Sequence, residues 1–416
     1  MRNLNLNLRF ALLLLGTASS ALAADFSDDG IYYNFTGTNT VEVTSTINGH
    51  GSYTGPVTIP SSVTYNGKTY SVTAIGDEAF GGCTSLTSVN IPNSVTEIRL
   101  QAFDGCTSLT SVNIPNSVTY IGHGAFCGCT SLTGATIPNS VTYIGNCSFA
   151  ECVNLTSVNI PNSVTYIGQE AFLRCTGLTE ITVNSGNSVY DSRNYCNAII
   201  ETASNTLIAG CQNTVIPNSV TAIGNFAFAD WASLTSITIP NSVTYIGNCS
   251  FVRCSGLTGV NIPNSVTTID EMAFYDCIGL TSVNIGNSVT SIGYNAFTYC
   301  TSLTSVTSLA VTPPQTADSF YSDPSIYDKA TLYVPRESVG AYRTAYEWKK
   351  FKTIVGIDAD PLPGDANGDG EVNIADITRV IDAIIDNEYS EALDVNGDGE
   401  INIADINKII QAILNA

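Results

Sequence analysis

The sequence predicts a β-rich α/β solenoid of stacked 23-residue repeats with a parallel β-ladder, capped at both ends and followed by a small all-α domain. Three observations lead to this prediction. The segment CTSLTSVNIPNSVTYIG begins at Cys106 and returns at Cys152 with two changes. Only 12% of the 416 residues are charged, which suits β-structure with an uncharged polar exterior. The chain then ends in two acidic twelve-residue loops that resemble nothing before them.

The repeat is marked by an Ala-Phe or Ser-Phe pair. Each pair lies 23 residues after the one before, except for one step of 56, which equals two ordinary steps plus ten residues. The longer step contains an irregular insert near 184–211. Nine clear units result, and their pairs begin at Ala79, Ala102, Ala125, Ser148, Ala171, Ala227, Ser250, Ala273 and Ala296.

Each unit contains two short extended stretches and a turn. Val112 and Ile114 alternate with Asn113, as in a strand with one buried face. A second stretch, VTYI, follows, and a glycine-flanked turn then surrounds Phe126. One unit cannot bury its own apolar side, so we expect identical side chains to stack on their equivalents in neighbouring units.

The repeat and the composition changes at its ends define the predicted domains. End repeats of a solenoid expose apolar faces and therefore need caps. The domains are a signal peptide at 1–23, an N-terminal β cap with the first repeat at 24–76, the solenoid at 77–306, a C-terminal cap at 307–356, a linker at 357–364 and the acidic domain at 365–416.

The caps carry their own signals. Asn66 and Gly67 lie between two extended runs, which predicts a hairpin. In the C-terminal cap we expect a strand at Ala330–Val334 and a helix near Ser338–Trp348. Six of the fifteen basic residues of the chain lie in this cap. They fit a solvated capping helix better than a binding patch.

The first residues predict export. Arg2 and Arg9 precede the apolar run Phe10–Leu15, and Ala21 and Ala23 form an A-x-A cleavage signal. The run falls well short of the ~20 residues of a transmembrane helix. We therefore expect cleavage near Ala23, no membrane span, and a secreted, extracellular or cell-surface protein.

The cysteines predict mainly free thiols. Most recur at the repeat distance, and Trp231 takes the same position between two sets, which indicates a buried apolar column. Cys196 and Cys211 differ, because they flank a nearly symmetric segment centred on Ala203 and Ser204. A hairpin there sets them opposite each other, so a disulfide and two free thiols both stay open.

The repeat skeleton C-x-x-L-x-x-V-x-I-P-x-S-V-T-x-I-G-x-x-A-F resembles the BspA-type leucine-rich-repeat family of exported bacterial proteins. The resemblance covers residues from about 27 to 356. It implies a leucine-rich-repeat solenoid and an adhesin-like function, in which a secreted or surface protein binds an extracellular protein or glycan.

One outward column of the repeat suggests where such a partner binds. Tyr120, Tyr143, Tyr166 and Tyr245 share this position. Exposed tyrosine is a rigid, amphipathic contact residue that is favoured at interfaces. Repeat duplication without any function also produces such a column. We treat the four tyrosines as candidate partner-binding residues.

Other classes of function find little support. With 36 acidic and 15 basic residues the net charge is −21, which argues against nucleic acid and anionic membranes as partners. The two histidines, His50 and His123, have no acidic partner at a useful spacing. No motif of a hydrolase, a metalloprotease or a phosphate-binding loop occurs. We therefore predict that the protein is not an enzyme, although a glycoside hydrolase that uses paired carboxylates stays an alternative.

The two final loops, DANGDGEVNIAD and DVNGDGEINIAD, have the ligand spacing of calcium-binding EF-hand loops. Oxygen ligands fall at positions 1, 3, 5, 9 and 12, position 7 offers a carbonyl, and the glycine at position 6 permits the sharp turn. We predict two Ca²⁺ ions as cofactors. Their ligands are Asp365, Asn367, Asp369, Glu371, Asn373 and Asp376 in the first loop and Asp394, Asn396, Asp398, Glu400, Asn402 and Asp405 in the second.

Each loop precedes one amphipathic helix, and the prolines in DADPLPG exclude an entering helix before the first loop. A duplicated loop and helix resembles a type I dockerin. The resemblance implies docking on a cohesin module, with partner choice at loop positions 10 and 11. These positions hold Ile374, Ala375, Ile403 and Ala404, whereas many dockerins have polar residues there.

Two functional hypotheses follow. In the first, the protein is an adhesin-like binding protein with a calcium-dependent tail. In the second, it is a non-catalytic, cohesin-docked component of a polysaccharide-degrading complex. A tail that is only stiffened by calcium and docks on nothing is the alternative for the last domain.

Overall fold

The computed structural model describes residues 24–45, 53–320, 325–357, 366, 372–386, 393–396 and 400–415. The predicted signal peptide and nearly all of the predicted linker lie outside these residues, so both stay predictions. In the described parts no helix is long and apolar enough to cross a bilayer.

The chain forms a β-solenoid of about twelve turns with a spacing of about 23 residues, followed by a helical region. This confirms the predicted fold class. In chain order the strands are β1 (Phe26–Asp28), β2 (Ile31–Phe35), β3 (Thr40–Thr44), β4 (Gly55–Thr58), β5 (Ser62–Tyr65), β6 (Lys68–Ile75), β7 (Leu86–Asn90), β8 (Glu97–Ile98), β9 (Ser111–Asn113), β10 (Tyr120–Ile121), β11 (Gly134–Thr136), β12 (Tyr143–Ile144), β13 (Ser157–Ile160), β14 (Tyr166–Ile167), β15 (Glu180–Val183), β16 (Tyr190–Asp191), β17 (Ala198–Glu201), β18 (Thr206–Gly210), β19 (Ala222–Ile223), β20 (Tyr245–Ile246), β21 (Gly259–Ile262), β22 (Thr268–Ile269), β23 (Ser282–Ile285), β24 (Ser291–Ile292), β25 (Ser305–Ser308), β26 (Gln315–Thr316), β27 (Thr331–Pro335) and β28 (Thr353–Ile357).

Helices are few and short except at the C-terminal end. The α-helices are α1 (Ser325–Lys329), α2 (Val339–Tyr342), α3 (Ile374–Asp386) and α4 (Ile403–Asn415), and the 3₁₀ helices are Arg193–Tyr195, Arg336–Ser338 and Trp348–Lys350.

Two parallel ladders run along the solenoid. One contains the SVNI stretches, in three sheets of order β11-β9-β7-β4, β13-β15 and β21-β23-β25-β27-β28. The other contains the YI stretches and divides into β1-β2-β3-β6-β8-β10-β12-β14 and β16-β17-β18-β19-β20-β22-β24-β26. Equivalent residues pair directly, as Tyr120 does with Tyr143 and Val260 with Val283. Both ladders are interrupted near the insert.

Columns of identical side chains fill the core, as predicted. The rings of Phe80, Phe103, Phe126 and Phe149 stack with neighbouring centroids 4.9–5.2 Å apart. The cysteine column is buried and consists of free thiols, and Trp231 lies in it with 3% exposure. Burial raises the pKa of the thiols in this column, so they remain protonated.

The N-terminal cap contains the predicted hairpin. β5 pairs antiparallel with β6, and Tyr65 lies opposite Lys68. The two turn residues Asn66 and Gly67 both have positive φ, at 50° and 76°. This is the left-handed backbone that a two-residue hairpin turn requires and that Asn-Gly favours.

The C-terminal cap differs from the prediction at its helix. β27 occupies Thr331–Pro335, close to the expected strand, but α2 covers only Val339–Tyr342 of the expected helix near Ser338–Trp348. The helix ends at Tyr342, and the left-handed φ of 66° at Glu347 prevents a helix from continuing to Trp348. This conformation directs the buried Glu347 carboxylate to the backbone of the last repeat, where it accepts hydrogen bonds from Ser319 N and Phe320 N.

The insert forms the hairpin β17–β18, in which Ala198 pairs with Gly210. The disulfide that we considered between Cys196 and Cys211 is not formed, and both thiols are buried and free. Regular pairing ends before the two cysteines, and each thiol turns to a backbone carbonyl instead. Cys211 Sγ donates to Asn197 O at 3.3 Å and Cys196 Sγ to Ala198 O at 3.8 Å.

The C-terminal region has a small core of its own. Val380 and Ala383 of α3 pack with Ile409 of α4 and with Leu393 and Ala366. Part of the predicted apolar stripe of α3 faces away from this core. The exposed members are Ile381, Ile384 and Ile385.

Candidate functional sites

Three of the four predicted tyrosines form one continuous stack, here called the tyrosine ladder: Tyr120, Tyr143 and Tyr166. They lie at equivalent positions of β10, β12 and β14. Their ring centroids are 4.8 and 4.6 Å apart, with interplanar angles of 14° and 10°. The end of the stack, Tyr166, is 42% exposed. The ladder therefore offers aromatic edges in a fixed orientation.

A histidine that the sequence analysis did not select supports this ladder. His123 Nδ1 accepts a hydrogen bond from Asn146 N at 3.0 Å. Nε2 therefore carries the proton and donates to the Tyr143 hydroxyl oxygen at 3.3 Å. Burial and the neighbouring tyrosines raise the pKa of Tyr143. The Tyr143 hydroxyl thus stays protonated.

Tyr245 does not belong to the ladder. Its neighbours in the sheet are Ala222 and Thr268, and its hydroxyl donates to Asp270 Oδ2. Burial and this carboxylate raise the pKa of Tyr245 to about 12. The insert separates Tyr166 from Tyr245, and the two tyrosines line opposite sides of a cavity of about 490 Å³. Sequence spacing alone did not reveal this cavity.

The predicted calcium ligands are described in part. Asp365, Asn367, Asp369, Glu371 and Asp398 lie outside the described residues. Among the residues that the structure describes, no three His, Cys, Asp or Glu side chains group as metal ligands. The other predicted ligands are Asn373, Asp376, Asp394, Asn396, Glu400, Asn402 and Asp405.

The described ligands fit a hard cation. Asp376 and Asp405, at position 12 of each loop, are completely buried carboxylates. Asp405 Oδ2 accepts from Asn402 N at 2.8 Å and Oδ1 from Asn396 N at 3.1 Å, so the loop folds back onto its last carboxylate. In the first loop Asp376 Oδ2 accepts from Asn373 N at 2.8 Å. Buried carboxylates held inward by a loop are the oxygen donors that Ca²⁺ prefers.

The residues at loop positions 10 and 11 open the two helices. Asn373 Oδ1 and Asn402 Oδ1 cap them by accepting from Ala375 N and Ala404 N, both at 2.8 Å. Ile374 and Ile403 precede these alanines and are 76% and 72% exposed. Each helix therefore presents an apolar residue to solvent at its first turn.

Comparison with known families assigns the chain. The profile of the BspA type leucine rich repeat region matches residues 73–201 and 207–323, in six copies. These residues are more than half of the chain. The protein belongs to the BspA-type leucine-rich-repeat family. The profile of the dockerin type I domain matches residues 363–414. Dockerin type I domains typically bind calcium, and their presence implies cohesin binding.

Solved structures share the BspA-type solenoid. A leucine-rich repeat protein from Bacteroides ovatus is 29% identical, with a TM-score of 0.55 over 81% of this chain and 83% of that one. The pneumococcal vaccine antigen PcpA is 19% identical, with a TM-score of 0.57 over 80% and 98%. A leucine-rich repeat protein from Eubacterium ventriosum is 21% identical, with a TM-score of 0.51 over 79% and 91%. The last two show a shared fold only.

No protein of curated function matches this BspA-type chain. Leucine-rich-repeat and dockerin domains are typically non-catalytic, and no catalytic domain is among the matches.

Proposed function

We propose that this protein is a secreted or cell-surface binding protein whose solenoid presents the tyrosine ladder to an extracellular protein or glycan. The stack of Tyr120, Tyr143 and Tyr166 is the observation that carries the proposal. Tyrosine supplies a large amphipathic contact area. Because neighbouring rings already restrict each other, binding costs little additional side-chain entropy. The dockerin match supports an extracellular location.

A triple variant, Tyr120→Ser, Tyr143→Ser and Tyr166→Ser, tests this proposal on protein and glycan arrays. We expect the mature protein to bind at least one class of ligand and the variant to lose that binding. The matched control replaces Thr110, Thr133 and Thr156, an exposed column of the other ladder, by serine and should retain binding. Equal binding by both variants would contradict a role for the tyrosine ladder.

The C-terminal domain, in this proposal, binds two Ca²⁺ ions through the twelve predicted loop residues. The burial of Asp376 and Asp405 supports it. So does charge, since residues 357–416 hold 14 acidic and 2 basic groups, a net charge of −12. Neutralising this cluster with metal favours the folded domain. Each ion adds positive charge to one loop, and the loop residues orient their oxygens around it.

Calorimetric titration of the mature protein tests the metal sites. We expect two ions per chain, and one ion in either single variant, Asp376→Asn or Asp405→Asn. The exposed Asp382→Asn is the control and should bind two. Full binding by both loop variants would exclude these residues as ligands.

A second candidate function is docking on cohesin in a polysaccharide-degrading complex. The exposed pair Ile374 and Ile403 favours it, since apolar side chains at the first turn of each helix suit a partner surface. Pull-down of a cohesin module by the mature protein, with calcium and with chelator, decides the point. We expect calcium-dependent capture that Ile374→Ser with Ile403→Ser abolishes and that the exposed cap variant Val311→Ser retains. Failure to capture cohesin in calcium removes this candidate.

A further inference from the structure

The turns that carry the phenylalanines are joined by their own main-chain ladder. Each regular repeat contains an Ala-Phe or Ser-Phe pair. The residue before this pair and the phenylalanine of the pair donate their N–H groups to the next repeat. Cys147 N donates to Gln169 O at 3.0 Å and Phe149 N to Ala171 O at 2.8 Å. The same bonds recur after the insert, from Phe226 N to Asn248 O and from Phe228 N to Ser250 O. A regular turn therefore donates to one neighbour and accepts from the other.

This ladder stops at the insert. Glu170 N and Phe172 N, which should donate to the next turn, have no acceptor among the described residues. On the same edge, the carbonyls of Thr165 and Ile167 have no donor among the described residues. In the preceding repeat the corresponding carbonyls, those of Thr142 and Ile144, accept from Thr165 N and Gly168 N. Ile167 N, between these carbonyls, already donates to the Tyr190 hydroxyl oxygen at 3.0 Å. The main-chain donors of this wall without an acceptor among the described residues are therefore Glu170 N and Phe172 N.

The opposite wall has the complementary gap. Asn225 O and Ala229 O correspond to carbonyls that accept in regular repeats, and neither has a donor within the described part of the chain. Only Ala227 O between them is satisfied, by Gly210 N at 2.8 Å. Phe172 and Ala229 are buried, whereas Glu170 is half-buried and Asn225 is exposed. Buried main-chain groups are nearly always paired, so Phe172 N and Ala229 O favour a hydrogen-bonding occupant.

The insert leaves this space because it crosses the phenylalanine column without a side chain. A Cβ on Gly210 would lie 2.2 Å from Phe228 Cε1, so only glycine fits there. The Phe column is therefore interrupted: Phe149 and Phe172 stack at 5.7 Å and Phe228 and Phe251 at 5.1 Å. A cavity of about 490 Å³ lies between Phe172 and the residues near Ala229. We call this cavity the slot.

Charge and spacing further define the slot. Arg174 Nε lies 3.0 Å from Asp230 Oδ2, an ion pair that joins the repeats on either side. The carboxylates of Glu170 and Glu201 line the slot, and no lysine or arginine is among its lining residues. Burial raises the pKa of Glu170, while a hydrogen bond from Cys147 Sγ and the charge of Arg174 act in the opposite direction. A further cation beside Glu170 would favour the ionised form.

We propose that the slot binds an extended polypeptide segment of a partner protein that carries a basic side chain. The segment lies along the wall of Glu170 and Phe172, where its carbonyls accept from Glu170 N and Phe172 N. Because Gly210 N already occupies Ala227 O, the segment donates on the opposite wall through one N–H group, to Ala229 O. A lysine or arginine pairs with Glu170 and Glu201. The mode is strand addition, in a preformed gap. This inference goes beyond the proposed function, because its evidence is the unpaired main chain, and it would stand if the tyrosine ladder bound nothing.

The probe is the acetylated and amidated octapeptide TKIGKGAS. It keeps the Thr, Ile, Gly and Ala positions of residues 119–126, TYIGHGAF, and adds two lysines. Calorimetry of the mature protein should show one site per chain. Amide hydrogen exchange should slow at Glu170 and Phe172 on binding, whereas Phe149, which already donates in the ladder, should not change.

Two matched comparisons separate the contributions. Glu170→Gln with Glu201→Gln should weaken the probe about tenfold or more, and Glu180→Gln, an exposed carboxylate elsewhere, should leave it unchanged. A probe that is N-methylated at the residue opposite Ala229 cannot donate to Ala229 O and should bind at least about tenfold more weakly. Binding without protection of Glu170 and Phe172, no binding at millimolar probe, or protection of these amides by oligosaccharides but not by the peptide would overturn the proposal.

Discussion

The phenylalanine column ends twice, after Phe172 and after Phe320, and the two ends are finished differently. At Phe320 the buried Glu347 carboxylate accepts from Phe320 N at 2.8 Å, from Ser319 N at 2.9 Å and from the Tyr327 hydroxyl at 2.8 Å. At Phe172 no side chain takes that role within the described residues, and a cavity follows. A true terminus is closed by its own cap, whereas the internal end is left open to another molecule.

The two ends also differ in aromatic packing. The Phe320 ring contacts Phe297, Trp348 and Phe351, with centroids 5.2–5.7 Å away. Among the aromatic rings of the described residues, the Phe172 ring stacks only on Phe149. The cap thus replaces the next repeat with aromatic side chains as well as with a hydrogen-bond acceptor, and the slot replaces it with neither.

The largest effect that we expect is alkaline unfolding, and it tests whether the slot divides the solenoid. Burial raises the pKa of Cys175, before the slot, and of Cys277, after it, to about 12 from 9.0. The folded state then binds more protons than the unfolded state at high pH, so the stability from these thiols is complete below pH 9 and is lost as the pH rises toward 12. Because one continuous core spans both segments, thermal melting curves should show a single transition. The midpoint temperature of this transition should decrease as the pH rises above 9. An unchanged midpoint temperature at pH 10.5 would contradict the raised pKa of the buried thiols. Two transitions would show that the slot separates two independently unfolding units.

Phenylalanine truncation should cost more inside the column than at its open end. Phe251 stacks on both sides, at 5.1 and 5.0 Å. Phe251→Ala should reduce the free energy of unfolding by about 3–5 kcal/mol, because it leaves a closed cavity. Phe172→Ala enlarges a space that already exists and should cost about 1–2 kcal/mol less. Chemical denaturation measures both, and equal losses would mean that the slot wall is packed as tightly as the column.

Removing the acceptor at the capped end should produce a smaller loss. Glu347→Ala leaves two main-chain donors and one hydroxyl without their acceptor, which should cost about 2–3 kcal/mol. Thermal or chemical denaturation gives the value, and the exposed Glu337→Ala is the control, with little change expected. If both variants were equally stable, the carboxylate would not be what closes this end.

The smallest effect is local and needs no substitution. Without ligand, the amide of Phe172 should exchange at least about ten times faster than that of Phe320, since a hydrogen-bonded amide must first open. Amide-resolved hydrogen exchange measures the ratio. Equal rates would show that the internal end has an acceptor after all.

Much of the repeat was predictable from the sequence. Val112, Ile114 and Phe126 each belong to a column with constant spacing, and constant spacing permits only stacking of like on like. The Asn66-Gly67 hairpin was predictable for a local reason, because its two residues favour the positive φ that the turn requires. At position 12 of each predicted calcium loop the structure places Asp376 and Asp405 inward, and their role as ligands stays a prediction.

The places where the repeat stops were not predictable in this way. The expected helix near Ser338–Trp348 ends at Tyr342, and Glu347 takes a left-handed φ of 66° where it reaches Phe320, a contact between residues 27 positions apart. The column of four tyrosines became a stack of three, because the insert separates Tyr166 from Tyr245. Cys196 and Cys211 stay free because the pairing of β17 and β18 ends before them.

By itself, then, the sequence determined the repeat unit, its spacing and the composition of each column, since these depend on residues close together or on exact repetition. Tertiary structure decided which main-chain groups find partners at each interruption, because that depends on how segments distant in the chain meet. Glu347 closes the end at Phe320 through such a long-range contact. Gly210 is too small to continue the phenylalanine column and leaves the end at Phe172 open.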